Sequence, residues 1–142
     1  MVLFSQDRIL VPTDFSDQSL QAVRDTVGFA GAASAVHVVH VLKSLEATDP
    51  GVVWETVNDD QRKMTIQKLF DETFPSSEYA GMNFSIEKGD PTAEIVDYAE
   101  KHKIELIVMP SQGHSGISRF FMGSTAERVI RHAHCPVLVL RK

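Results

Sequence analysis

"RILVPTDFSDQSLQAVRDTVGFA", residues 8–30, changes its period half-way along. After Arg8 it opens with an aliphatic run, Ile9 to Val11, closed by a proline, the composition of a short buried strand. Six polar residues lie between Pro12 and Leu20, broken only by Phe15. Leu20, Val23, Val27 and Ala30 then recur at i, i+3, i+7 and i+10, a helical stripe for which Ser16 is the expected N-cap. A strand leading through a short turn into a helix is the first half of a β-α-β unit, so the next question is whether the pattern repeats.

It repeats to the end of the sequence. Strand-like runs return at "AVHVVHVL" (35–42), "NFSIEK" (83–88), "ELIVMP" (105–110) and "PVLVLR" (136–141). Helical segments separate most of them. From about Trp54 to Phe74 the apolar positions are Trp54, Val57, Met64, Leu69 and Phe70, a less regular stripe. Asp90 is placed to cap a third helix with Pro91 in its first position and Ile95, Tyr98 and Ala99 on its buried side. Ser124 and Glu127 stand at capping-box spacing ahead of a fourth stripe of Ala126, Val129, Ile130 and Ala133. Strands that alternate with helices, and that read as nearly continuous apolar runs, predict a parallel sheet covered on both faces. The expected fold is α/β, a single doubly wound five-stranded parallel sheet flanked by four helices, as one domain over residues 1–142.

Composition sets outer limits. The chain has 142 residues, 43% hydrophobic and 23% charged, with a net charge of -5 and a sequence pI of about 5.6. An acidic chain of this kind has no general electrostatic grip on nucleic acid or on an anionic membrane. Any anion it binds must be held by local geometry. Apolar runs of five or six residues are too short to span a bilayer, and "MVLFSQDR" lacks the basic lead of a signal peptide. A single cysteine, Cys135, rules out an internal disulfide framework and suits a reducing compartment, so a cytoplasmic location is expected.

In a doubly wound sheet, ligands lie beyond the carboxyl ends of the strands, where the strand order reverses. The unusual sequence gathers at that end. "PTDFS" follows the first strand, "KGDPT" the third, and "MPSQGHSGISRFFMGSTAERVI" (109–130) runs from the fourth strand into the last helix. Gly113, Gly116 and Gly123 allow close backbone approach or positive φ. Gly123 and Ser124 lead into a helix whose first amides lack partners, which is an anion-binding arrangement. The same residues are equally consistent with turns and an ordinary helix cap. A Walker loop is excluded, because there is no Gly-Lys-Ser/Thr and no lysine between Lys103 and Lys142, and G-x-G-x-x-G is absent.

Asp14 sits at the end of the first strand, where a carboxylate could meet a base or ribose, hold a metal, accept a phosphoryl group, or brace the start of the first helix with Thr13 and Ser16. A phospho-accepting receiver domain is disfavoured, since its acceptor follows the third strand amid other acids. "HAHC" (132–135) lacks the four convergent ligands of a zinc site; His132 suits a helix C-terminus and Cys135 reads as a small buried hydrophobe. His37 and His40 alternate with valines and are expected to meet neighbours at the sheet.

Four segments carry a resemblance: "ILVPTDFSDQSLQAV", "VHVVHVL", "KGDPTAEIVDYAEKHKIELIVMPSQG" and "FMGSTAERVIRHAHCPVLVLR". Together they make the chain similar to the universal stress proteins, the UspA-like family, along nearly its whole length. The resemblance implies strand order 3-2-1-4-5 in an adenine-nucleotide alpha-hydrolase-like arrangement. In the nucleotide-binding branch the loop reads Gly, two residues, Gly, nine residues, Gly, then Ser or Thr. Gly113, Gly123 and Ser124 fit it, and Pro110 stands where its first glycine would be. Proline has no N–H to give there.

Carried over residue by residue, the resemblance implies an ATP site, or one for AMP or ADP, with Mg2+. Pro12 shapes the turn, Thr13 and Met109 line the crevice, Asp14 and the main chain of Val41 face adenine or ribose, and Gly113, Gly123, Ser124 and Thr125 cradle the phosphates. Arg119 and His114 are the cationic candidates within the loop. The last strand, Pro136 to Arg141, is expected at a sheet edge and, as in the family, paired with its twin in a homodimer. The function implied is a regulatory, stress-response protein that binds ATP. A dimeric interaction protein without nucleotide and a slow ATPase are the alternatives. No catalytic base and no metal ligand set is legible.

Overall fold

The computed structural model of the chain describes residues 6–42, 52–111 and 124–141, and the backbone alone for residues 52–58. Gly113, Gly116, Gly123, His114, Arg119 and the Phe120–Met122 stretch lie outside the described residues. Five strands, β1 (Ile9–Pro12), β2 (Val36–Leu42), β3 (Asn83–Lys88), β4 (Leu106–Pro110) and β5 (Val137–Leu140), alternate with four helices, α1 (Asp17–Ala30), α2 (Val52–Thr73), α3 (Pro91–Lys101) and α4 (Ser124–His132). The sheet is parallel throughout, in the order β3-β2-β1-β4-β5.

Two apolar layers cover it. Ile9, Val11, Val36, Val38, Leu106 and Val108 face α1 and α2, meeting Ala22, Val23, Phe70 and Phe74. Leu10, Val39, Ile107 and Met109 face α3 and α4, meeting Ile95, Tyr98, Ala99, Ala126 and Val129. The central strands β1 and β4 are buried on both faces, which is why their sequences lack polar alternation. Full burial of one such Val, Leu or Ile side chain contributes about 1.5–3 kcal/mol. The edge strands β3 and β5 are only half-buried.

The helix caps follow the sequence. Ser16 accepts a hydrogen bond from the Ser19 amide, and α1 ends on Gly31 at φ 79°, a left-handed position that suits glycine. Asp90 accepts from the Ala93 amide ahead of Pro91. The carboxylate of Asp90 also lies 3.6 Å from Arg128, joining the start of α3 to α4.

Three apolar stripes differ from expectation. On α1 the fully buried residues are Ser19, Ala22, Val23 and Thr26, while Leu20, Val27 and Ala30 pack at the margin. Small side chains let α1 approach β1 closely, and Ser19 and Thr26 satisfy their hydroxyls locally, Thr26 on the Ala22 carbonyl at 2.7 Å. Phe70 of α2 and Phe74, just past its end, enter the core, whereas Met64 is 71% exposed and Leu69 is 40% exposed; the packing face is set by the phenylalanines, with Phe70 stacked on Phe84 at 4.0 Å. On α4, Ile130 is 42% exposed, leaving Ala126 and Val129 to make the contact.

Candidate crevice between the first and fourth strands

The strand order reverses at β1: β2 and β3 lie on one side, β4 and β5 on the other. The two seams of β1 behave differently. Its ladder to β2 continues to Pro12↔Val39, with Thr13 N–H donating to the Val39 carbonyl at 2.8 Å. Its ladder to β4 covers Ile9↔Leu106 and Leu10↔Ile107.

Proline explains the difference. Backbone N–H groups along a strand point alternately to its two neighbours. Thr13 N–H faces β2, so the nitrogen of Pro12 faces β4. Ser111 N–H donates to the Leu140 carbonyl of β5 at 2.9 Å, so the nitrogen of Pro110 faces β1. The next rungs of the β1–β4 ladder would require these two nitrogens as donors, and neither carries a hydrogen. The β1–β4 ladder therefore ends short of the carboxyl end of the sheet, the position at which open α/β sheets bind ligands.

The turn on the β1 side is held by a closed set of bonds. The Thr13 hydroxyl accepts from Phe15 N–H at 3.0 Å and lies 2.8 Å from Ser19 Oγ. Ser16 Oγ accepts from Ser19 N–H and donates to Ser19 Oγ, while Ser19 Oγ donates to the Ser16 carbonyl. One proton assignment satisfies all of these: Thr13 donates to Ser19. Thr13, Ser16 and Ser19 are buried, where an unmade bond would cost about 1–3 kcal/mol.

Phe15 sits at φ 62°, a left-handed conformation that costs a bulky residue about 1–3 kcal/mol. Its ring packs in edge geometry on His40 at 5.1 Å. Asp14 is half-buried and accepts from Ser16 N–H at 2.9 Å.

His40 donates from Nδ1 to the Thr13 carbonyl at 2.8 Å. A carbonyl can only accept, so this bond puts the ring hydrogen on Nδ1. The carbonyl is the one that a further β1–β2 rung would have offered to Val41 N–H, and the ladder stops short of that rung. Because Val39 O faces β1, the main chain of Val41, two residues on, faces the same side. There β1 has already turned away.

The expected site residues thus fall into three groups. Pro12, Thr13, Asp14, Val41 and Met109 converge on the carboxyl ends of β1, β2 and β4. Thr13 is buried with its hydroxyl engaged, Val41 is half-buried and Met109 is buried. Ser124 and Thr125 open α4, the first exposed and the second half-buried. Gly113 and Gly123 lie outside the described residues. Sequence reasoning missed Ser19 and the clamp made by His40 and Phe15. Ser19 was a polar residue at helical spacing from Ala22 and Val23, a legible signal. The left-handed Phe15 carried none.

Elsewhere the chemistry is quiet. Among the described residues, no group of three or more His, Cys, Asp or Glu is arranged to hold a metal, and no helix is long and apolar enough to cross a membrane. Burial pushes the Cys135 thiol up, away from thiolate reactivity.

Comparison with known proteins agrees with this geometry. The model of the universal stress protein family matches residues 6–141. Universal stress protein MJ0531 of Methanocaldococcus jannaschii is 38% identical over 140 residues, covering 95% of this chain and 82% of that protein. The structure of UspA from Lactobacillus plantarum superposes with a TM-score of 0.75 at 28% identity, over 96% of this chain and 98% of that one. A universal stress protein solved in complex with cAMP shares the fold at a TM-score of 0.66 and 22% identity, over 94% and 96% of the two chains. A parallel sheet whose β1–β4 ladder ends early at the reversal point, a "PTDFS" turn and these matches lead to one conclusion: the chain belongs to the universal stress protein family.

Proposed function

We propose that the protein is an ATP-binding regulator of the stress-response type, working in the cytoplasm as a homodimer. The observation that carries the reading is the early end of the β1–β4 ladder, with Pro12 and Pro110 beyond it, which leaves the carboxyl end of this seam without hydrogen bonds beside the Asp14 carboxylate and the Val41 main chain. Those groups suit a nucleoside. Asp14 can accept from a ribose hydroxyl or a base amine, Val41 and Met109 supply apolar contact, and the peptide groups of Val41 supply hydrogen bonds. Ser124 and Thr125 at the start of α4 would meet phosphates through the helix N-terminus, together with Gly113 and Gly123. AMP or ADP would use the same nucleoside contacts, and Mg2+ would neutralise phosphate charge. The cAMP-bound relative supports the reading, because an adenine nucleotide occupies that protein of the same fold. For the dimer, support comes from β5, a sheet-edge strand whose Leu138 is exposed; an apolar edge strand of this kind favours pairing.

A thermal shift with ATP and Mg2+ tests the nucleotide reading. ATP at 100 times its dissociation constant should stabilise the protein by about 2.7 kcal/mol, and Gly123→Asp should abolish the shift. No shift at millimolar ATP would favour a second reading, a same-fold dimeric interaction protein, for which Pro110 in place of a motif glycine is the supporting feature. A monomer at micromolar concentration by light scattering would overturn the dimer.

A further inference from the structure

We propose that His40 is the positioning residue of the nucleotide site, fixing from behind the turn that presents Asp14. Alternation along β2 puts Val39 with the α3–α4 layer and His40 with Phe15, whose ring packs on the α1–α2 layer. His40 therefore lies across the sheet from Val41 and acts through the turn, not on the ligand.

Its two contacts do separate jobs. The Nδ1–H bond takes the Thr13 carbonyl, so that carbonyl is satisfied without drawing Val41 N–H into another rung, and the Val41 amide keeps its orientation toward the crevice. The edge contact on the Phe15 ring braces a residue whose backbone is held at φ 62°. The flanking residues are tied to the same frame: Phe15 N–H to the Thr13 hydroxyl and Ser16 N–H to Asp14. Loss of the imidazole frees the Thr13 carbonyl to pair with Val41, relaxes Phe15 and swings Asp14 off its mark. Asparagine is the informative replacement, because its side-chain amide can donate from nearly the place of Nδ1.

The ligand side of the proposal rests on the nucleotide reading above, and two readouts keep the failures apart. The first is ATP affinity by calorimetry. His40→Leu should weaken binding roughly five- to tenfold, the effect of one typical hydrogen bond, and His40→Asn should recover most of it. The second needs no ligand. Long-range proton–nitrogen NMR of the wild type should show the hydrogen of His40 on Nδ1, and hydrogen exchange at Ser16 N–H should be slow in wild type and His40→Asn and fast in His40→Leu. If ATP binds wild type and His40→Leu equally, or if the ring hydrogen resides on Nε2, the proposal is overturned. If the wild type binds no ATP, the nucleotide reading fails, and the exchange and tautomer data alone decide whether His40 clamps the turn.

Discussion

The two seams of β1 start alike and end differently. Against β2 the strand stays paired through Pro12, and the following turn is tied by the Thr13 amide, carbonyl and hydroxyl. Against β4 it lets go after Leu10. Val36, Val38 and Val39 of β2 and Leu106, Ile107 and Val108 of β4 are buried alike, so hydrophobic packing does not distinguish the two flanks. What differs is the supply of backbone donors: two proline nitrogens face one seam and none faces the other. The crevice is thus written in the main chain, with the apolar core indifferent to it. A site built this way keeps its opening without a bulky side chain to prop it.

The closed seam is the place to expect the largest effect. Thr13→Val keeps the shape of the side chain but leaves Phe15 N–H without its acceptor and takes from Ser19 Oγ the shorter of its two donors. Ser19 is buried and the Phe15 bond part-buried, so unfolding free energy should fall by about 1–3 kcal/mol, and Tm by roughly 3–10 °C. If denaturant titration shows no loss, the seam does not depend on the hydroxyl set and the contrast between the two flanks is weaker than the geometry suggests.

The open seam is tested by restoring a donor. Pro110→Ala gives β4 an N–H directed at the Pro12 carbonyl, one more rung of the ladder. Stability should rise by about 1 kcal/mol, the new amide should exchange slowly, and ATP should bind a few-fold more weakly as the crevice narrows. Unchanged stability with a fast-exchanging amide at position 110 would mean that twist, and not proline, parts the strands.

The same contrast explains what could be read in the sequence. All five strands and all four helices were legible, because apolar runs and caps are local signals: Ser16, Asp90 and Pro91 stand where the structure uses them. The strand order came from family resemblance, since local periodicity carries no information on which strands are neighbours. Burial on α2 and α4 was misjudged at Met64, Leu69 and Ile130 for a related reason. Which apolar residues of a helix go inside depends on the angle at which it crosses the sheet. In the site, Asp14 and Pro12 were visible as an odd carboxylate and a proline beside a strand end. The direction in which the Pro12 and Pro110 nitrogens point was not, because parity along a strand becomes a direction only once its neighbours are known. His40 looked like one more polar residue on an alternating strand.

The smallest effect is expected at the far end of the closed seam, where β1 and β2 enter the sheet. His37, paired in register with Leu10, shares a 2.8 Å bond between Nδ1 and the Tyr98 hydroxyl, and the His102 ring stacks on Tyr98 at 4.0 Å. Burial, then the neighbouring His102 and Arg8 charges, lower the His37 pKa from 6.5. Burial, with Glu87 nearby, pushes the Tyr98 hydroxyl up to about 12, so the phenol stays protonated at any working pH. Below pH 6.5 the unfolded chain binds a proton at His37 more readily than the folded one, so stability falls as pH drops from 6.5 toward the folded pKa and levels off beneath it. Above 6.5 the ring is neutral in both states and contributes no slope. His37→Gln should remove this part of the acid sensitivity, seen as a flatter Tm between pH 6.5 and 5, while ATP affinity at pH 7.5 stays at the wild-type value because the crevice lies at the other end of β1. A change in affinity at pH 7.5 would couple the two ends of the seam and break the division of labour drawn along it.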